Sequence, residues 1–180
     1  FGKFDYIGSL AENHQFDRNI LIPDPEFMDN QHEWLDRARK YIVHIAHKHG
    51  LLAIGEMTTN YPSNKKTPAE SAAAIAQAIE EKRHLVELGF DGGWAGTPDT
   101  IEPLQSVFPK PNQLGIKTNY DPALFQTVTP SATSEQVTER GTRAALRLLV
   151  RYTASQLKGD DAVLLEGKMR DRATRRIDMG

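Results

Sequence analysis

The sequence contains no cysteine, which excludes disulfides, thiolate metal sites and cysteine nucleophiles together and suits a reducing compartment. Nor does any apolar run approach the roughly 18 residues needed to span a bilayer, so no membrane association is expected. An excess of charge of one sign is missing too. The formal net charge of -2 gives no global attraction to nucleic acid or anionic lipid, so a polyanion site would have to be local. There is no phosphate-loop or dinucleotide glycine motif, no internal repeat and no low-complexity tract. What is present is the composition of a globular chain able to bury a core, with 39% hydrophobic and 26% charged residues among 180. That length suits one domain or a piece of something larger. Phe1 stands where a methionine would open a complete chain, and no targeting tripeptide follows Ile177, so both ends are expected to lie within a longer protein.

Residues Phe1 to Leu10, FGKFDYIGSL, form an aromatic and β-branched run that predicts a buried strand carrying Asp5. After a polar stretch with Pro23 and Pro25, Asp29 or Asn30 is expected to cap a helix whose Trp34, Ala38, Ile42 and Ile45 share a face and which Gly50 ends. Leu51 to Met57 reads as a parallel-sheet strand, apolar almost throughout. Thr67, Pro68 and Glu70 then spell a capping box with proline at the first helical position, opening a helix that runs to Leu88 before Gly89. Gly89 to Pro98 is a third expected strand, whose glycines suggest close approach of backbone or ligand.

Strand and helix alternating with short returns is the pattern of parallel βα units, in a barrel or a doubly wound sheet. From Pro98 to Pro130 six prolines and weak periodicity predict an irregular connector. Thr133 and Gln136 are expected to cap a long helix to about Lys158 with apolar stripes on two sides. One holds Val137, Gly141, Ala144, Leu148, Tyr152 and Ser155, the other Leu146, Val150 and Leu157, as in a helix packed between layers. A final basic helix follows Leu165.

On position alone Asp5 is a turn or capping aspartate, or a ligand at a strand end where barrel enzymes place their chemistry. Trp94 among Gly92, Gly93 and Gly96 is a half-buried core aromatic or a pocket wall. Five blocks taken in order go further. Phe4-Asp5-Tyr6-Ile7, Ala53-Ile54-Gly55-Glu56-Met57, Gly89-Phe90-Asp91-Gly92-Gly93-Trp94 with Pro98, Val137-Thr138-Glu139 with Gly141, Arg143, Leu157 and Gly159, and Met169-Arg170-Asp171-Arg172-Ala173-Thr174 together resemble the malate synthases, most nearly their A-type form.

The resemblance implies an α/β chain: residues 1–98 as the last three βα units of a TIM (β/α)8 barrel, 99–132 as the connector, and 133–180 as an α-helical C-terminal domain. It implies an acyltransferase that condenses acetyl-CoA with glyoxylate in the glyoxylate bypass, using Mg²⁺. The setting it implies is cytoplasmic, or peroxisomal or glyoxysomal in a eukaryote, and a homo-oligomer is compatible with it. Asp171 matches the catalytic base, Asp5 a magnesium ligand, and Gly2, Phe4, Met57, Trp94 and Pro98 the substrate pocket. The family's second metal carboxylate and its oxyanion-stabilising arginine lie upstream of the segment matching Phe1. An N-terminal barrel segment or a second chain is therefore expected to complete the site.

The chemistry suits these residue types, since a thioester methyl is a weak carbon acid that needs a carboxylate within hydrogen-bond reach. A hard cation held by one or two carboxylates would polarise the aldehyde. The chain departs from the family pattern at Arg170, at Glu56 and in the Trp94-to-Pro98 segment. Lys168, Arg170, Arg172, Arg175 and Arg176 surround Asp171 and would favour its carboxylate form, weakening it as a base. Two other readings stay open: a CoA-thioester lyase of the malyl-CoA or citrate-lyase type, and a non-catalytic relative acting as a structural partner. His44, His47 and His49 do not converge on one helical face, so no zinc site is expected. The stripe Arg140, Arg143, Arg147 and Arg151 reads as a solvated or ion-paired face, with CoA phosphates as the sharper alternative.

Overall fold

The computed structural model describes residues 1–17, 19–24, 27, 33–116, 132–165 and 168–179. They fall into two compact units, one made of Phe1–Gly2 with Asn30–Val128 and the other of Lys3–Asp29 with Thr129–Gly180.

The first unit holds α2 (Glu33–Lys48), β1 (Ile54–Gly55), α3 (Pro68–Glu87), β2 (Gly92–Gly93) and α4 (Ile101–Gln105), where α1 belongs to the second unit. The expected Asp29 or Asn30 cap of α2 lies outside the described residues. Gly50, at φ 70°, ends that helix in the left-handed conformation that favours glycine. The start of α3 follows from local chemistry. The Thr67 N–H donates to Glu70 Oε2 at 2.7 Å, the Glu70 N–H donates back to Thr67 Oγ1 at 3.2 Å, and Pro68 has no N–H to leave unpaired. Gly89, at φ 98°, turns the chain into β2, which lies parallel to β1 with Ile54 opposite Gly92 and Gly55 opposite Gly93. The two later expected strands are thus present as a parallel pair bridged by α3, though each pairs over only two residues. Val43, Ala53, Leu85, Leu88 and Phe90 form the core, and Phe1 and Ala46 pack against it. Gly55 must be small, because a Cβ there would meet Leu85 Cδ1 at 2.4 Å. Of the expected connector, Pro98–Thr100 and α4 are helical, and 117–130 lie outside the described residues.

The second unit corrects the reading of Phe1 to Leu10 as a strand, since Lys3–His14 is a helix, α1. Ile7 and Ala11 stand four apart on one face and are buried with Gly8, where a Cβ would come 3.0 Å from Arg176 Cβ. That face packs on α6 (Arg172–Met179). The long helix α5 (Glu139–Gln156) begins later than Thr133. The Thr133–Gln136 box closes a short 3₁₀ turn, and Thr138 caps α5 by accepting from the Gly141 N–H at 3.0 Å. Leu148 and Tyr152 are buried on one stripe of α5, whereas Leu146, Val150 and Leu157 are exposed. Between α5 and α6 an antiparallel pair, β3 (Val163–Leu165) and β4 (Lys168–Arg170), replaces the start of the expected basic helix.

Candidate functional site

In the first unit the chain leaves β1 through Glu56 and Met57 and leaves β2 through Trp94. The Trp94 N–H donates to the Gly55 carbonyl at 3.3 Å, and a Cβ on Gly96 would stand 3.6 Å from Met57 Cγ. Met57 and the segment that begins at Trp94 thus lie at one end of the parallel pair. Trp94 is 66% exposed, its ring on an open face of this chain.

Beneath this end lies a buried polar network that the sequence did not announce. Arg39 donates to Glu56 Oε1 from Nη2 and to Asp36 Oδ1 from Nη1 at 2.8 Å. His84 Nε2 lies 2.9 Å from Asp36 Oδ2, and the buried Lys82 ammonium donates to the Glu56 carbonyl. Arg39 and Lys82 look like solvated helix positions in the sequence; the one available signal was Glu56 in a strand whose family counterpart has glycine there. Asp91 ties the other end of the pair. It accepts from the Ala53 N–H at 2.7 Å and the Gln113 N–H at 2.7 Å and stands 2.8 Å from His47 Nε2. His47 is thus paired with a buried carboxylate.

In the second unit Asp171 precedes α6 and caps it. Its Oδ1 accepts the Thr174 N–H at 3.0 Å, while Thr174 Oγ1 accepts the Asp171 N–H at 2.8 Å. Oδ2 takes part in neither bond, so the cap fixes the carboxylate while leaving one oxygen for other work. Asp5, in the first turn of α1, is 72% exposed at its side chain, and Arg176 Nη1 stands 3.7 Å from its Oδ1. Arg176 is itself gripped by Glu12, Nε to Oε1 and Nη2 to Oε2 each at 2.7 Å. That fork holds the Glu12 carboxyl below its ordinary range and raises Arg176 above its own. Phe4 lies under the Lys3 ammonium, 4.8 Å from ring centroid to nitrogen. Gly2 belongs to the first unit and Phe4 to the second.

A magnesium ion wants several oxygen donors, commonly one or two carboxylates with water and substrate. Asp5 offers one carboxylate, and a guanidinium rather than a second donor adjoins it. Among the described residues no group of three His, Asp or Glu side chains could hold a metal. These residues do not by themselves fit the ion.

Residues 1–127 match the malate synthase TIM barrel domain. The chain is 28% identical to a glyoxysomal malate synthase of Zea mays, 28% identical to a malate synthase of Myxococcus xanthus and 25% identical to malate synthase A of Escherichia coli. Each similarity covers 98% of this chain and 32%, 33% and 34% of the relative in turn, so the chain spans about a third of the length of these proteins. No helix among the described residues is long and apolar enough to cross a membrane.

Proposed function

The chain belongs to the malate synthase family, and we propose that it supplies the C-terminal βα units of that family's barrel together with the helical region carrying the base, Asp171. The proposed reaction condenses acetyl-CoA with glyoxylate to malate and CoA, with the rest of the barrel provided by sequence this chain does not span. The relative from Zea mays is named as glyoxysomal, which supports a glyoxysomal setting if the source is a eukaryote, with a cytoplasmic one as the other proposal.

The similarity that runs through 98% of the chain and takes in both Asp5 and Asp171 is the observation that carries this reading. The cap geometry supports it: with Oδ1 tied to the first turn of α6, Oδ2 is the oxygen to receive the methyl proton. Trp94 and Met57 would wall the glyoxylate pocket and exclude water. Asp5 would give one carboxylate to a magnesium ion whose other donors lie outside the described residues.

A second reading, a non-catalytic relative, is favoured by the Asp5–Arg176–Glu12 arrangement, which meets the charge of Asp5 with a guanidinium. A thiol-release assay on the complete protein with acetyl-CoA and glyoxylate separates the two. Wild type should release CoA, and Asp171→Asn should lose on the order of 10²-fold or more in turnover while still binding acetyl-CoA, because a base acts in the transition state. Asparagine caps a helix nearly as well as aspartate, so the fold should hold. Near-normal turnover in the variant would remove Asp171 as the base. A wild type that consumes neither substrate favours the non-catalytic reading, and a product that keeps its thioester favours the lyase.

A further inference from the structure

Two buried cations of the first unit, Lys82 and Arg39, meet at one residue, Glu56, just past β1. The Lys82 ammonium donates to the Glu56 carbonyl, and Arg39 Nη2 donates to the Glu56 carboxylate while its Nη1 holds Asp36 Oδ1 at 2.8 Å. To reach that carbonyl from α3, Lys82 runs across β2: a Cβ on Gly93 would stand 3.2 Å from its Cδ and 3.3 Å from its Cε. The neighbouring residue of α3 holds the chain again a little further on. Glu81 Oε1 accepts from the Asn60 side-chain amide at 2.8 Å, and the Asn60 N–H donates to the hydroxyl of buried Thr58 at 3.0 Å. Met57 therefore lies between two points at which α3 grips the chain.

An ammonium is costly to bury, and a methionine would fill the same space without that cost. What the charge adds is a directed bond to one carbonyl, stronger than a neutral one. Strand pairing does not supply this hold, because the register of β1 and β2 stops at Gly55 and Gly93. Beyond the register the two chains still touch: a Cβ on Gly96 would come 3.3 Å from the Thr58 carbonyl oxygen and 3.6 Å from Met57 Cγ. The carboxylate arm is a departure of this chain, since the strand it resembles has glycine at the position of Glu56.

We propose that Lys82 and Arg39 are positioning residues: by holding Glu56 at its carbonyl and its carboxylate they fix Met57 against the chain that follows Trp94, and so set how closely this end fits a small oxoacid. The part that concerns the oxoacid rests on the reaction proposed above. The fixing of Met57 stands on the geometry alone, and the two are measured separately.

Lys82→Met, made in the complete protein, keeps the stem and removes the donor. Relative to the amides of α5, hydrogen exchange at residues 56–60 and at the Trp94 N–H should quicken by roughly tenfold, about the worth of one charge-assisted bond. In the thiol-release assay the KM for glyoxylate should rise by roughly fivefold or more with kcat moving less, because a displaced wall weakens ground and transition states alike. Asn60→Ala cuts the second grip at a half-buried side chain and should move both readouts the same way to a smaller degree. Should Lys82→Met fail to fold, Asn60→Ala decides by those readouts. Arg83→Gln, exposed on the same helix, should move neither. Quickened exchange in a protein whose wild type releases no CoA upholds the positioning and overturns the reaction. Unchanged exchange at residues 56–60 would overturn the proposal whatever the melting temperature does. Quickened exchange with an unchanged KM in an active protein would also overturn it, leaving Lys82 a structural role alone.

Discussion

Gly141→Ala sets helix propensity against a single close contact, and the structure says the contact wins. Gly141 lies in the first turn of α5, where alanine ordinarily gains about 0.5–1 kcal/mol over glycine. A Cβ at that position, however, would stand 2.0 Å from Asp24 Cγ and 2.1 and 2.2 Å from its two oxygens. The carboxylate would have to leave. It now accepts the Thr138 N–H at 2.9 Å and the Thr138 hydroxyl at 2.7 Å, both on Oδ2, and so holds the residue that caps α5. Hydrogen bonds to a charged group are worth about 1.5–3 kcal/mol each and are not additive. A displaced Asp24 regains water, which reduces the cost. Offsetting the propensity gain, the net should be a destabilisation of about 2 kcal/mol, or roughly 4–8 °C in melting temperature for a chain of this size. Urea and thermal unfolding followed by circular dichroism measure it. In an Asp24→Ala background the contact is gone, and the same change should turn neutral or stabilising. A Gly141→Ala protein that is more stable than wild type would refute the reasoning.

In the complete protein Asp5→Asn should raise the magnesium concentration needed for activity, since an amide lacks the charge that attracts a hard cation; an unchanged titration would remove Asp5 from the metal shell. Trp94→Ala should impair glyoxylate use while leaving the melting temperature almost unmoved, because the ring is mostly exposed; equal damage to both would give it a packing role instead. The Glu12–Arg176 fork predicts a pH response. Glu12 is held below its ordinary 4.5, so its contribution is complete above that value and is lost as pH falls through the lower folded value. Acid unfolding should show this, with Glu12→Gln flattening the loss of stability below about pH 4.5, and an identical acid limb in the variant would discount the fork.

What could be read from the sequence was what neighbours in the chain decide. The α3 cap needs only Thr67, Pro68 and Glu70, and Gly50, Gly89 and Gly159 each take the positive φ expected at their helix ends. Strands are settled by partners instead: of Leu51 to Met57 only Ile54–Gly55 pairs, because β2 offers only Gly92–Gly93 to it. The Phe1-to-Leu10 run shows the same dependence. Its aromatic and β-branched residues suit a strand, but Ile7 and Ala11 also fit a helical face, and the helix that covers them lies more than 160 residues away in sequence.

The buried Arg39–Glu56 pair and the Lys82 contact were hidden for a related reason. Long basic side chains look alike in a sequence whether they reach water or a carboxylate 17 residues on. Asp171 carries this to the site. Counted along the chain, five basic residues crowd it and should weaken it as a base. In space Arg176 turns to Glu12 and Arg175 to Gln156 and Tyr152, and the Thr174 bonds aim the carboxylate. Which of those guanidiniums already has a partner is set by the fold and cannot be counted along the chain.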